Sequence, residues 1–121
     1  MNREEHTRHI ADAMTEQELE DAIVDLLDVY KYWYHHDLPA YDKGQTERPY
    51  VHVRGQNGFP DWLAVGSRVL LFELKKERGK LRPEQREWIG RLRQAGAEVY
   101  VWRPTDWLDG TIGEILLGAK P

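Results

Sequence analysis

The sequence predicts an α/β domain in which helices cover a mixed β-sheet. Segments with helix and strand patterns follow one another in the order αβββαβα, which is typical of a sheet with helices packed on its faces. The chain of 121 residues is 40% hydrophobic and 31% charged, a composition that fits one folded domain with a single core. The absence of cysteine excludes disulfides, thiolate metal sites and a cysteine nucleophile.

The first predicted helix spans about residues 16–30. Thr15 and Glu18 have the spacing of a capping box, in which the Thr is the N-cap and the Glu reaches back to it. The apolar residues that follow recur at the spacing of one helix face: Leu19, Ile23, Leu26, Leu27 and Tyr30. Residues 1–14 are expected to form an N-terminal tail before the folded domain of residues 15–121.

An aromatic segment, YKYWYHHD, is suited to the first strand. Residues 38–58 contain two prolines and three glycines and are expected to form a long polar loop, a kind of segment that is often functional. Two strands should follow, at about residues 61–66 and 68–75.

A second helix, a fourth strand and a last helix complete the predicted order. Pro83 suits the first turn of the second helix, and Gly96 ends it. The side of this helix that faces the sheet carries Gln85, Trp88, Ile89, Leu92 and Ala95. The segment AEVYVWRP predicts the fourth strand, after which Thr105 is expected to cap one last helix.

Three charged residues interrupt the two adjacent strands. Alternation places Glu73 and Lys75 on the same face of their strand. Charges on a packed face are costly unless they are paired or bind a metal. An isolated Glu–Lys pair at a strand end can extend to solvent, but Asp61 opens the neighbouring strand directly after Pro60 and adds a second carboxylate.

The length of the turn between these strands decides whether the two carboxylates meet. A three-residue turn of residues 66–68 would pair Val65 with Val69 and bring Asp61 opposite Glu73, whereas a two-residue turn would point them to opposite faces. We therefore expect the three-residue turn, with Gly66 at positive φ, or a break in the strand at Asp61.

Two carboxylates and an ammonium group would then converge at one end of the sheet. Together with a strand carbonyl such as that of Leu74 and with waters, Asp61 and Glu73 would form a hard-oxygen site suited to Mg²⁺. A cation there can activate a water and neutralise charge on a phosphodiester, while Lys75 orients the nucleophile or stabilises the transition state.

These residues carry a resemblance to a known family. Pro60-Asp61 followed by Glu73-Leu74-Lys75 resembles the PD-(D/E)xK signature of the restriction-endonuclease-like nucleases. The longer pattern GFPD…FELKKERGKLRPEQREW…GAEVYVWRP is similar to the virus-type replication-repair nuclease domain, VRR-NUC, over essentially residues 15–117. The resemblance implies a restriction-endonuclease-like αβββαβ core with a mixed sheet and a C-terminal helix, and a nuclease that depends on Mg²⁺ or Mn²⁺.

The resemblance also implies a set of catalytic residues. On the family's pattern these are Asp61, Glu73, Lys75, Gln85 and a glutamate of the first helix. Glu16 matches the position of that glutamate best, but Glu20, one turn later, lies on the same face. Glu18 is the weakest candidate because the capping box already uses it.

Charge is distributed unevenly along a chain whose formal net charge is −4. Residues 1–37 carry three basic and ten acidic side chains, whereas residues 75–103 carry nine basic and four acidic ones. This asymmetry fits either a basic DNA-binding face or two ordinary solvated faces. Arg82 replaces the Ser or Thr cap that the family usually has there, and contact with a phosphate would compensate for the lost cap. The predicted DNA contacts are Lys76, Lys80, Arg82, Arg86, Arg54 and His36.

The sequence as a whole predicts a metal-dependent endodeoxyribonuclease of phage or bacterial replication and repair. Single-domain relatives look like Holliday-junction resolvases, so we expect branched DNA as substrate and a homodimer, which surplus aromatics at residues 30–34 also favour. The alternatives are a less selective nuclease of flaps, nicks or DNA ends and a catalytically idle DNA-binding module. The lack of an apolar run of ~18 residues and of a signal-peptide core predicts a cytoplasmic location in a bacterial or phage-infected cell, with no membrane partner.

Overall fold

The structure, a computed structural model, describes residues 2–37, 40–41, 49–50 and 54–121. The predicted loop at 38–58 therefore lies partly outside the described residues. The helices are α1 (Arg3–Ala13), α2 (Glu16–Val29), α3 (Pro83–Gln94), α4 (Pro104–Leu108) and α5 (Thr111–Gly118). The strands are β1 (Trp33–His36), β2 (Ala40–Tyr41), β3 (Pro49–Tyr50), β4 (Trp62–Val65), β5 (Val69–Leu74) and β6 (Val99–Trp102).

Four strands form a mixed sheet in the order β1-β4-β5-β6, and β2 pairs with β3 separately. β1, β4 and β5 are antiparallel neighbours. β5 and β6 are parallel, as expected for two strands joined through a helix. The architecture confirms the predicted α/β class with a mixed sheet and a C-terminal helix.

The two faces of the sheet are covered by different helices. The larger core joins one face to α2 and α5 through buried residues that include Ile23, Leu27, Phe72, Trp102 and Leu116. On the other face, Leu71 and Val99 pack against Ile89 of α3. Because side chains alternate along β5, Glu73 shares the α3 face with Leu71, and the strand is buried on both sides at this position.

The predicted start of the first long helix is confirmed. The backbone N–H of Thr15 donates to Glu18 Oε1 at 3.0 Å, and the N–H of Glu18 donates to Thr15 Oγ1 at 3.0 Å. These bonds form the expected capping box at the start of α2.

The predicted three-residue turn between β4 and β5 is also confirmed, because Val65 pairs with Val69. The expected positive φ at Gly66 was wrong. Glycine is needed there for a different reason: a Cβ atom would lie 1.9 Å from the carbonyl oxygen of Ala119 and 2.6 Å from the ring of Tyr32. The turn lies directly on the end of α5, where the N–H of Ser67 donates to the Ala119 carbonyl at 2.7 Å.

The structure differs from the prediction at both ends of the chain. α1 forms where no helix was predicted, and Ala11 is its one buried residue. The prediction of a single last helix capped by Thr105 was wrong, because α4 begins at Pro104 with Arg103 as its N-cap and Gly110 separates it from α5. Pro at the first helical position favours this earlier start. None of the helices in the described part of the chain combines the length and apolar character needed to cross a bilayer.

Candidate active site

Glu73 is a buried carboxylate next to the last residue of β5, a strand that is covered on both faces. Its relative exposure is 3%. Glu73 Oε2 accepts a bond from the backbone N–H of Asp61 at 2.9 Å, and Oε1 accepts one from Gln85 Nε2 at 2.7 Å. The pKa of Glu73 is raised to about 7, chiefly by burial; the charges of Asp61 and Glu16 act in the same direction, and the Asp61 N–H and Lys75 act against it.

Gln85 is held in one orientation by the start of α3. Its Oε1 accepts the backbone N–H of Arg82 at 2.9 Å, which leaves Nε2 as the atom that donates to Glu73. The side chain of Arg82 makes no cap, so Gln85 satisfies the helix terminus as well as the carboxylate. The prediction that Gln85 faces the sheet is confirmed, and its exposure is only 5%.

Asp61 lies directly before β4, outside the regular strand and next to buried Pro60. The residue is exposed at the surface, yet desolvation by the surrounding protein raises the pKa of its carboxyl above the usual range. His36, Lys75 and Arg82 oppose this increase. The register of β4 and β5 continues past the Trp62–Phe72 pair to bring Asp61 beside Glu73.

Lys75 follows the last residue of β5. Its backbone N–H donates to the carbonyl of Trp102 at 3.0 Å, which continues the parallel pairing with β6 by one residue. The side chain is half-buried, and its positive charge lowers the pKa of both Asp61 and Glu73. The structure therefore brings Asp61, Glu73, Lys75 and Gln85 together at one end of the sheet.

The turn that follows Lys75 is stabilised by hydrogen bonds from a residue that the sequence analysis did not single out. Arg103 Nη1 donates to the carbonyls of Lys76, Glu77 and Gly79 at 2.9, 3.3 and 2.6 Å. The only indication in the sequence was the position of Arg103 at the end of the G-x-x-V-x-V-x-R segment.

Two further contacts hold the same turn. The carboxylate of Glu77 accepts the N–H of Thr105 at 3.0 Å and a bond from its hydroxyl. Arg78 forms a two-pronged ion pair with Asp12 at 2.9 and 3.0 Å, which ties the turn to the end of α1.

The two candidate glutamates of α2 have different surroundings. Glu16 lines a groove together with Lys76, and its charge raises the pKa of Glu73. Glu20 instead accepts a bond from Gln17 at 3.0 Å and lies 3.7 Å from His36 Nδ1. These contacts favour Glu16 as the glutamate of the site.

The predicted DNA contacts fall into two groups. Lys76, Lys80, Arg82, Arg86 and Arg54 are exposed. Arg82 also makes a surface ion pair with Glu84 at 3.1 Å. His36 is half-buried and stacks on Trp62 with a centroid distance of 3.9 Å, so it is less exposed than the other five, and its contact with a phosphate stays a prediction.

The donor set at the end of β5 suits a hard divalent cation that keeps several waters. Within the described ranges, no group of three His, Asp or Glu side chains is close enough to share a metal. Burial raises the pKa of both Asp61 and Glu73, and the charge of Asp61 adds to the increase at Glu73, so a cation would stabilise the ionised carboxylates. A pair of carboxylates fits Mg²⁺, which is usually held by one or two carboxylates together with waters and phosphate oxygens.

A comparison with protein families gives one match. The model of the family described as VRR-NUC domain matches residues 14–106, which include Glu16, Asp61, Glu73, Lys75 and Gln85. No curated protein and no solved structure matches the chain.

Proposed function

Because this chain belongs to the VRR-NUC domain family of virus-type replication-repair nucleases, we propose that it is a divalent-metal-dependent endodeoxyribonuclease. The proposed reaction centre consists of Asp61, Glu73, Lys75 and Gln85, with Glu16 at its border. The nuclease domain would comprise residues 15–121, with the preceding residues as an N-terminal extension that packs on it through α1.

The buried carboxylate of Glu73 is the observation that carries this proposal. A carboxylate removed from water and placed beside a second carboxylate destabilises the folded protein, and such groups cluster at functional sites. Gln85 and the Asp61 N–H hold its two oxygens in fixed positions. Each oxygen keeps a further lone pair for a cation.

Each group of the chain would have a distinct role. Asp61 and Glu73, with the backbone carbonyl of Leu74, would hold Mg²⁺ or Mn²⁺. The bound cation would supply a water of lowered pKa and positive charge beside the phosphodiester. Lys75 would orient the attacking water or stabilise the charge that develops on the phosphate. Gln85 would keep Glu73 in place, as supporting residues of metal sites do.

We further propose branched DNA, such as a four-way junction, as the substrate and a homodimer as the active form. The dimer is supported by an exposed apolar row across the sheet, in which Trp33 pairs with Val65 and Val65 pairs with Val69. Their exposures are 84%, 40% and 50%. A two-fold dimer would present two sites to the two strands of a junction. Light scattering that gives a monomer mass at tens of micromolar protein would contradict the dimer.

Parallel cleavage assays test the proposed activity. Labelled four-way junction, flap, duplex and single-stranded DNA are incubated with wild-type protein in Mg²⁺, in Mn²⁺ and in chelator. We expect cleavage only with metal, fastest on a branched substrate, and none by Asp61→Asn. Asp25→Asn is the matched control, because Asp25 is an exposed carboxylate on α2 away from the site.

The same assays distinguish the alternatives. Equal rates on flaps, nicks and ends would identify a less selective nuclease. Binding without turnover under every metal condition would identify an idle DNA-binding module. Cleavage that survives in chelator, or in Asp61→Asn, would refute the metal-dependent reaction.

A further inference from the structure

A groove of about 460 Å³ lies beside the candidate active site and is not used by the proposed reaction. It runs between the segment that leads to Asp61 and the outer side of α3. Its lining residues are Gln56, Asn57, Glu84, Glu87, Trp88 and Arg91. Trp88 lies one helical turn after Gln85, and Phe59 lies two residues before Asp61. Both aromatic residues are therefore close in the chain to residues of the proposed reaction centre.

Two aromatic rings meet at the edge of this groove. Phe59 and Trp88 are 5.1 Å apart between ring centroids and nearly perpendicular, at 88°. Phe59 is 45% exposed, although most large apolar residues of the described chain are buried. An exposed aromatic ring that a second ring supports at its edge can stack on a further flat group.

The ring of Trp88 and the backbone that carries Phe59 are held in place before any ligand binds. The indole N–H of Trp88 donates to the carbonyl of Gln56 at 3.1 Å. Gly58 has a φ of +100°, and a Cβ atom on it would lie 2.6 Å from the carbonyl carbon of Glu84. Only glycine allows the segment to lie this close to α3 and to carry Phe59 onto Trp88. Such preorganisation lowers the entropy cost of binding.

The charges around the groove favour a base over a phosphate. Glu87 is paired with Arg91 at 2.8 Å, and Glu84 is paired with Arg82 at 3.1 Å. Paired charges leave little positive potential for a phosphate group. Gln56 and Asn57 add amide groups at the wall, and amides can hydrogen-bond the edge of a nucleobase.

We propose that Phe59 and Trp88 bind one unpaired nucleobase of a DNA strand whose adjoining phosphate lies at Asp61 and Glu73. This inference rests on the proposed nuclease function and specifies, among branched substrates, those with an unpaired nucleotide at the branch point next to the cut. Aromatic stacking tolerates any base, because every base has a π face. The groove thus selects for an unpaired position and not for a sequence.

Binding measured in chelator tests the inference without any cleavage. One labelled duplex carries a single unpaired thymidine, and a second is identical except that the unpaired nucleotide is abasic, so the two have the same phosphates. Fluorescence anisotropy of the wild type should give at least about fivefold tighter binding to the thymidine duplex. The ratio should be the same at low and high salt, because stacking releases no counterions.

Three variants assign the preference to the aromatic pair. Phe59→Leu keeps an apolar side chain of similar size, and it should bind the thymidine duplex only as tightly as the abasic duplex. Phe59→Tyr should keep the full preference for the thymidine duplex. Leu117→Ala is the control, because Leu117 is an exposed apolar residue on α5, which packs on the sheet face opposite α3. Equal wild-type binding to the two duplexes, or a preference that survives in Phe59→Leu, would overturn the inference.

The outcome is separable from that of the nuclease proposal. Metal-dependent cleavage without a base preference would refute the base site alone. A base preference without cleavage in any metal would refute the nuclease proposal and leave the base site standing.

Discussion

The raised pKa of Glu73 predicts a specific pH dependence of stability in the metal-free protein. The carboxyl has a pKa of about 7 in the folded state and an ordinary value of 4.5 when it is free in solution. A group whose pKa is raised by folding favours the folded state at low pH, and this contribution is lost as the pH rises through the folded-state value. Between pH 5 and pH 8, at about 1.4 kcal/mol per pH unit, Glu73 should destabilise the protein by about 2–3 kcal/mol.

The comparison with Glu73→Gln isolates this contribution from all other titrating groups. The amide cannot ionise, although it can accept only one of the two hydrogen bonds that Glu73 receives, which adds a penalty that does not change with pH. The free energy of unfolding of both proteins is measured by urea titration in chelator at pH 5, 6, 7 and 8. The stability of the wild type relative to the variant should fall by about 2–3 kcal/mol across this range.

Metal provides the second arm of the same experiment. At pH 8, Mg²⁺ or Mn²⁺ should stabilise the wild type in proportion to the logarithm of the metal concentration and should have no such effect on Glu73→Gln. Below pH 7, metal binding should release a proton, because a cation replaces the proton on the carboxyl. A stability difference between the two proteins that stays constant from pH 5 to pH 8, or that changes in the opposite direction, would refute the reasoning.

Three further predictions concern the supporting residues. Gln85→Glu places a carboxylate where an amide N–H now donates to Glu73 at 2.7 Å, so the cleavage rate should fall about 10–100-fold. Gln94→Glu, an exposed position on the same helix, is the control. Equal cleavage rates for the two variants would contradict this prediction. Gly66→Ala forces a Cβ atom to within 1.9 Å of the Ala119 carbonyl, and a urea titration should show a loss of about 2–4 kcal/mol of stability, whereas an unchanged midpoint would disprove the close packing. Lys80→Ala or Arg86→Ala should each flatten the slope of log affinity against log salt for DNA by about one unit, and unchanged slopes would remove these residues from the phosphate-binding surface.

The elements that local patterns determine were predictable from the sequence. The start of α2 follows from a capping box within four residues, and the register of β4 and β5 is predicted by requiring Asp61 to lie opposite Glu73. The orientation of Gln85 toward the sheet follows from helical spacing. In each case the deciding residues lie within one short motif, on one face of one helix, or on two strands joined by a short turn.

The features that the sequence did not predict depend on contacts between distant segments. α1 has little apolar periodicity, and it is held against the rest of the chain by buried Ala11 and by the ion pair between Asp12 and Arg78. Gly66 looked like a turn residue that needs positive φ, but it is required because the end of α5 lies against it. Arg103 looked like the end of a strand, and its role in fastening the turn after Lys75 depends on three carbonyls that only the folded chain brings to it.

The position of Mn²⁺ in crystals of the protein tests the central claim most directly. Anomalous scattering should give a peak between the carboxylates of Asp61 and Glu73 and next to the carbonyl of Leu74. The two carboxyl groups should lie within roughly 4–7 Å of each other, the span that one octahedral cation with ~2.1 Å bonds bridges directly or through a water. Mn²⁺ bound only elsewhere on the protein, or the two carboxylates directed to opposite faces of the sheet, would contradict the account.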